Sequence, residues 1–338
     1  MNESAYPEIT ICIANYNGID VLGPCLQSVF EQDGNLSIEV ILHDDASTDD
    51  SIDFVRSNFP QVSIIESSEN VGFCISNNRM VSKARGRYVL LLNNDAALHR
   101  DAIRTLHAFA TNLGRPAILG LPQYNMQTGE LIDIGSLVDL FLNPVPNKDR
   151  NRRHVAMVIG ACFWIPRALW DELGGFPEWF GSLAEDMYLC CLARLRGYPV
   201  IALPESGFDH WVGRSFGGGK IMTGALRTTY HRRSMSERNK SFVMMLCYPA
   251  PYAYLLIPLH LIALTVEGLL ISMIKGDPRL WKEIYCNCLN ALWAARERLL
   301  SKRTTIQKYG NTGLFFSSHT LVPHKLAMLR KYGIPSIE

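Results

Sequence analysis

The sequence predicts an α/β fold, a mainly parallel sheet flanked by helices, followed by a helical C-terminal region. Three observations point there. Short apolar runs alternate with helix-period stretches over the first 125 residues, polar clusters end three of those runs, and the composition changes after Gly219. Strands separated by helices of ten or so residues imply parallel βαβ units. Ligands of such open sheets bind beyond the C-terminal strand ends.

The elements follow in order. Residues 9–14 (ITICIA) form an apolar, β-branched run. Residues 20–31 carry Leu22, Leu26 and Val29/Phe30 on one helical face. Residues 38–42 are a second strand ending in His43-Asp44-Asp45, and a helix starts at Asp49. Residues 62–65 and 88–92 read as further strands, with a helix over 76–84 between them. A helix over 101–112 and a strand over 117–121 complete the alternation. Polar residues close three runs: Asn15-Tyr16-Asn17, Asp44-Asp45 and Asn93-Asn94-Asp95. Three such clusters on one sheet edge describe a site.

Composition narrows the ligand. The 338 residues carry a net charge of +1, which gives no reason to expect a nucleic-acid partner. Nine cysteines without a C-x-x-C pair, and no signal-peptide core, point to reduced thiols in the cytosol. Neither Cys190-Cys191 nor Cys286-x-Cys288 has the spacing of a zinc site. No G-x-G-x-x-G, H-E-x-x-H or G-x-S-x-G occurs. The glycines between Gly213 and Lys220 miss the P-loop by one residue, and Ile221 stands where Ser or Thr is needed.

The polar strand ends suit a nucleoside diphosphate. Asp44 can accept the imide N–H of uracil or thymine, a bond that discriminates because a wrong base leaves the acceptor unpaired. Tyr16 can stack on the base, and neutral Asn93 can bond the ribose. Asp95 can ligate Mg²⁺ or Mn²⁺, which are often held by one or two carboxylates plus phosphate oxygens and water. Asp44 and Asp45 also fit an Asx-type turn with Ser47, Thr48 and Asp49, and Asp49 reads foremost as a helix cap.

The stretches TICIANYNG, VILHDDASTDDS, NVGFCISNNR and GRYVLLLNNDAAL, in that order, resemble the family 2 inverting glycosyltransferases of GT-A fold, in their rhamnosyltransferase-like branch. The resemblance covers roughly residues 8–215. It implies a donor site of Ala14, Tyr16, Asp44, Gly72, Asn77, Asn78, Asn93 and Asn94. In GACFWIPRALWDELGGFPEWFGSLAEDMYLCC it implies Asp186 as the base that deprotonates the acceptor hydroxyl, with Glu185 and Trp211 toward the acceptor. Glu185 and Asp186 also suit a helix N-terminus, whose dipole favours acids. His210, alone a packed histidine beside Trp211, by resemblance completes a metal shell with Asp95. Arg214, Ser215 and the glycines after them would close over the diphosphate. Two departures from the family pattern, Cys74-Ile75-Ser76 and Pro177, fall near the donor sugar and the acceptor.

Residues 1–220 are thus expected to be a catalytic domain, with a nucleotide-binding half at 1–125 and an acceptor half at 126–220. Residues 221–338 form a helical region. Residues 255–274 are long enough to span a bilayer, yet Glu267 lies within them. Two helices broken near Pro258 and lying on the cytoplasmic membrane surface fit better, with packing on the protein as the alternative. The expected reaction moves L-rhamnose from dTDP-L-rhamnose to a glycan or polyprenyl-linked acceptor in surface-glycan synthesis. A UDP-hexose donor and a catalytically silent sugar-nucleotide-binding subunit are the alternatives.

Overall fold

The computed structural model describes residues 6–211, 220–222, 225–308 and 310–337. The first apolar run becomes strand β1 (Ile9–Asn15), at the heart of a seven-stranded sheet. β2 (Ile38–Asp44) and β3 (Ser63–Glu66) lie to one side of it, and β4 (Tyr88–Asn93) to the other. These four are parallel, and the register sets Asn15 opposite Asp44 and Ala14 opposite Asn93. Their C-terminal ends, and the polar clusters they carry, therefore share one edge.

Helices α1 (Ile19–Phe30), α2 (Ser51–Asn58), α3 (Phe73–Lys83) and α4 (Ala102–Asn112) connect the strands. Leu22, Leu26 and Val29 of α1 and Ile103 and Leu106 of α4 pack with Ile9, Ile11, Ile13, Leu90 and Leu92 in one core. Cys12, Val89 and Leu91 on the opposite sheet face are buried too, which is why β1 and β4 read as unbroken apolar runs.

Five short strands complete the framework: β5 (Ala96–Leu98), β6 (Ile118–Gly120), β7 (Gln123–Asn125), β8 (Leu131–Asp133) and β9 (Cys162–Pro166). β9 enters the large sheet antiparallel to β4, with Cys162 opposite Leu92. β10 (Val200–Ala202) extends that sheet beyond β6, giving the order β10-β6-β9-β4-β1-β2-β3. β11 (Phe208–His210) lies between β5 and β7 in a second sheet, ordered β5-β11-β7-β8. Helices α5 (Arg167–Leu173) and α6 (Glu185–Leu195) follow β9. All nine cysteines are free and eight are buried, with Cys190 and Cys191 on α6.

The chain divides into two compact units. One comprises Met1–Ser136, Pro146–Ala193 and Tyr198–Trp211; the other comprises Leu137–Val145, Arg194–Gly197 and Val212–Glu338. The second is mainly helical: α7 (Tyr230–Cys247), α8 (Tyr252–Lys275), a π-helical segment Leu280–Cys286, α9 (Asn287–Ala294), α10 (Arg296–Ile306), α11 (Thr312–Phe316) and α12 (His324–Tyr332). The helix break expected near Pro258 lies elsewhere. The break falls at residues 248–251, and α8 runs unbroken through Pro258. The apolar end of α7 (Phe242, Val243, Met244, Leu246) is core. By length and composition α8 is the one described helix capable of crossing a membrane.

Candidate active site at the strand ends

The loops that leave β1 and β2 are laced together. Asn15 donates from Nδ2 to Asp44 Oδ1 (3.0 Å), and Ser47 donates to the same carboxylate from its hydroxyl (2.6 Å) and its amide (2.9 Å). The Asn17 amide donates to Ser47 Oγ (2.9 Å), and the Thr48 amide donates to Asn17 Oδ1 (2.8 Å). Asp49 receives the Ile19 amide at the start of α1 (3.0 Å) as well as Ser51, so one carboxylate serves two helix starts. The turn contacts at Asp44 are therefore realised. Three of about four acceptor positions on that carboxylate are taken, which leaves one for a ligand. Tyr16 stands 52% exposed at the loop tip, open to stacking.

Asp45, read from the sequence as part of the turn, clamps the approach to α3. Its two oxygens accept the Val71 amide (2.7 Å) and the Gly72 amide (2.9 Å). Gly72 has φ +88°, a conformation that favours glycine, and passes close to Gly181, whose carbonyl accepts the Cys74 amide.

Three expected donor ligands also bond the protein. Asn77 is buried, and its Nδ2 donates to the Phe73 carbonyl (2.9 Å). The Asn78 amide group pairs with both backbone groups of Phe176 (2.9 and 3.0 Å), tying α3 to the segment after α5. Asn94 donates to Asn15 Oδ1 (2.9 Å), and a Cβ on Gly18 would stand 2.1 Å from that oxygen. These residues hold the site's shape. Asn93 differs: its side chain is half-buried and bonds no described residue, while its backbone amide donates to Ala161 (3.1 Å).

The pair Asp95 and His210 meets across the second sheet. β11 pairs antiparallel with β5, His210 opposite Ala96, and the Trp211 amide donates to the Asp95 carbonyl (3.0 Å). His210 Nε2 lies 3.1 Å from Asp95 Oδ1, both side chains buried. On its other side His210 Nδ1 lies 2.8 Å from the Gln123 amide group. Among the described residues no group of three His, Cys, Asp or Glu converges on a point. A two-member protein shell suits Mg²⁺ or Mn²⁺, which complete an octahedron with phosphate oxygens and water. Neighbouring ligands at about 2.1 Å from such an ion stand about 3 Å apart, as these two atoms do. Gln123 suits either tautomer. Its NH₂ can donate to Nδ1 when Nε2–H bonds Asp95, and its carbonyl can accept from Nδ1–H when the Nε2 lone pair turns to a metal. Gln123 is not readable from the sequence, since nothing in a three-residue strand signals it.

Asp186 begins α6 beside Glu185. Its Oδ2 accepts the Gly160 amide (3.0 Å) and its Oδ1 the Met187 amide (2.7 Å). Gly160 precedes Ala161, whose carbonyl receives the Asn93 amide, so the backbone links Asp186 to the end of β4. Burial pushes the Asp186 carboxyl above its ordinary value, against the two amides that hold it down. The residues just before α6 are strained: Leu183 (φ +69°) and Ala184 (φ +65°) both adopt the left-handed region. Two such residues in succession are uncommon outside glycine, and the strain sets the direction in which Glu185 and Asp186 enter the helix. Arg214, Ser215 and the glycines after them lie outside the described residues.

Residues 10–174 match the family model described as glycosyl transferase family 2. Among curated proteins the chain is similar to the succinoglycan biosynthesis protein ExoO of Rhizobium meliloti (strain 1021), 30% identical over 101 residues. That stretch is 30% of this chain and 29% of ExoO, less than a third of the relative's length. Among solved structures it resembles S. aureus TarS 1–349 in complex with UDP-GlcNAc (TM-score 0.57, 16% identity, 89% of this chain and 90% of that one). It also resembles the mannosyltransferase PcManGT of Pyrobaculum calidifontis in complex with GDP-Man and Mn²⁺ (TM-score 0.54, 18% identity, 97% and 88%). At these identities the likeness is one of fold, the GT-A type. With a parallel-rich sheet whose polar strand ends converge, residues 10–174 form a domain of the glycosyl transferase family 2 type.

Proposed function

We propose that this glycosyltransferase is an inverting enzyme that takes a sugar from a pyrimidine nucleoside diphosphate and passes it to a glycan or polyprenyl-linked acceptor in surface-polysaccharide synthesis. The observation that carries the reading is the buried Asp95–His210 pair at the same sheet edge as Asp44 and Asn93. Tyr16 stacks on the base, Asp44 offers its remaining acceptor position to the base imide, and Asn93 bonds the ribose. Asp95 and His210 would hold a divalent ion, which when bound supplies positive charge to the departing diphosphate.

Asp186 acts as the base. Each of its oxygens keeps a lone pair beyond the amide it accepts. One takes the proton of the acceptor hydroxyl while the hydroxyl oxygen itself bonds the anomeric carbon. The bond from that carbon to the diphosphate breaks on the opposite face, and the diphosphate leaves with the electron pair. A carboxyl raised by burial is the better proton acceptor, as general-base catalysis near neutral pH requires.

Two donors compete within this reading. The motif resemblance favours dTDP-L-rhamnose, and the UDP-GlcNAc held by TarS favours a UDP-hexose. The succinoglycan assignment of ExoO supports a polysaccharide acceptor. The test is a thermal-shift panel of dTDP-, UDP- and GDP-sugars with Mg²⁺ or Mn²⁺, since a ligand of the native state raises apparent stability. Turnover of the selected donor follows in the parent and in Asp186→Asn. We expect Asp186→Asn to bind donor as the parent does and to lose at least a hundredfold in kcat. Full activity in that variant refutes the base assignment, and donor binding without transfer in the parent makes the chain a binding subunit.

A further inference from the structure

Helix α8 presents an apolar surface that no described residue of its own unit covers. Tyr252, Tyr254, Leu255, Leu259, Ile262, Val266, Leu269, Leu270, Met273 and Ile274 are each 44–79% exposed. Pro251, Pro258 and Ala263 are exposed among them, and from residue 251 to residue 274 no exposed position carries a charge. At 100° per residue these positions sweep roughly 200° of the helix circumference over about 36 Å of length. A coiled-coil partner covers only the narrower a/d seam, whereas a lipid surface wets a face this wide.

The opposite face is committed to protein. Ala253, Leu256, His260, Leu264 and Gly268 are buried, and a Cβ on Gly268 would stand 2.4 Å from the Tyr285 ring. Glu267, whose charge spoke against a membrane span, points inward. It accepts Arg233 (2.7 Å), Lys325 (2.8 Å) and Tyr285 Oη (3.1 Å), and Arg233 and Lys325 also hold buried Glu237 with Lys240. If α8 crossed a bilayer, this ionic cluster would go to membrane depth with it, where buried charges are costly.

Charge identifies the occupant. Residues 230–338 hold 15 Lys and Arg against six Asp and Glu, while residues 1–229 hold 18 against 26. The region that carries the stripe is thus strongly cationic inside a nearly neutral chain. Basic residues near the surface draw a protein to anionic lipid.

We infer that α8 is a docking surface for an anionic lipid bilayer, lying in the interface plane with its 252–274 stripe in the acyl boundary and its Glu267 face on the protein. The inference goes beyond the reaction, because vesicle binding depends on α8 and not on turnover. The experiment is sedimentation of the full chain, without detergent, with vesicles of phosphatidylcholine alone or with one-third phosphatidylglycerol. The parent is expected to partition at least tenfold more strongly onto the anionic vesicles. The triple variant Leu255→Glu, Ile262→Glu, Met273→Glu is expected to lose that binding while keeping the parent's circular dichroism and its thermal shift with donor.

A second variant, Ile262→Trp, keeps the surface apolar. Its added fluorescence should shift to the blue on anionic vesicles and be quenched most by lipids brominated near the headgroup. Three results overturn the inference: no partitioning by the parent, together with a discrete dimer that the triple variant dissolves; undiminished partitioning by the triple variant; or strongest quenching from the bilayer midplane, which makes α8 a span.

Discussion

Asp133 offers a test of how burial at the end of β8 is balanced. Its Oδ1 is sealed from solvent and bonds no partner among the described residues, while Oδ2 accepts the Ser136 hydroxyl. Desolvation raises its carboxyl from 3.8 to about 7, against Ser136, the Asn147 amide and Lys148, which all pull it down. Between those values the folded chain keeps a proton that the unfolded chain has released, so stability declines as pH rises through this window. Below about pH 4 both states are protonated and there is no penalty. Above about 7 the full difference applies, which at 1.36 kcal/mol per unit comes to about 4 kcal/mol.

Asp133→Asn keeps an acceptor for Ser136 and removes the titration. It should equal the parent near pH 4 and exceed it by up to about 4 kcal/mol at pH 8, with the gap opening between pH 5 and 7. Because the chain has two units, the readout is hydrogen exchange of the β6 and β9 amides in both proteins at each pH, not a single melting curve. A gap that stays constant from pH 5 to 8 would show that Asp133 is ionised throughout, and would refute the burial argument.

Gln123→Leu leaves His210 Nδ1 without a partner. Mn²⁺ affinity measured by calorimetry should fall about ten- to a hundredfold, and Gln123→Glu should recover most of it, as loss and restoration of an outer partner predict. If Asp45 acts by clamping residues 71–72, Asp45→Ala should raise the donor KM about tenfold with a smaller change in kcat. An unchanged KM would leave Asp45 as a turn residue only. Backbone strain at Ala184 predicts opposite signs for two substitutions: Ala184→Gly should match or exceed the parent's stability, and Ala184→Val should lose about 1–2 kcal/mol. Equal thermal denaturation midpoints for the two variants would count against strain.

The parallel core was readable because its strands are long enough to show a pattern. β1, β2 and β4 are six or seven residues long and mostly apolar, and the polar residues at their ends declare where the strands stop. The second sheet was not readable, because β5, β7, β8 and β11 have three residues each and three residues carry no period. The meeting of Asp95 with His210 depends on that sheet's register across 115 positions. Resemblance named the two residues, and only the fold could set the distance between them. The clamp made by Asp45 was not readable for another reason: its partners are backbone amides, which every residue has. The protein contacts of Asn77 and Asn78 were not readable, because an amide side chain looks the same in sequence whether or not it bonds the Phe73 and Phe176 backbone. The break before α8 was misplaced because Pro258 sits on the exposed face of a helix that tolerates it.

The lattice joining Asn15, Asp44, Ser47 and Asn94 also bears on how this chain can evolve. A residue that reads a nucleobase is ordinarily a free variable, exchangeable for another at the cost of one preference. Asp44, which the proposed function sets against the base, is also the hub for Asn15 and Ser47, and Asn15 in turn supports Asn94 beside a glycine that leaves room for nothing larger. Any replacement must satisfy the hub before it can meet a new base. A change of nucleotide therefore needs several coordinated substitutions, and single steps away from the present arrangement pass through a less stable chain.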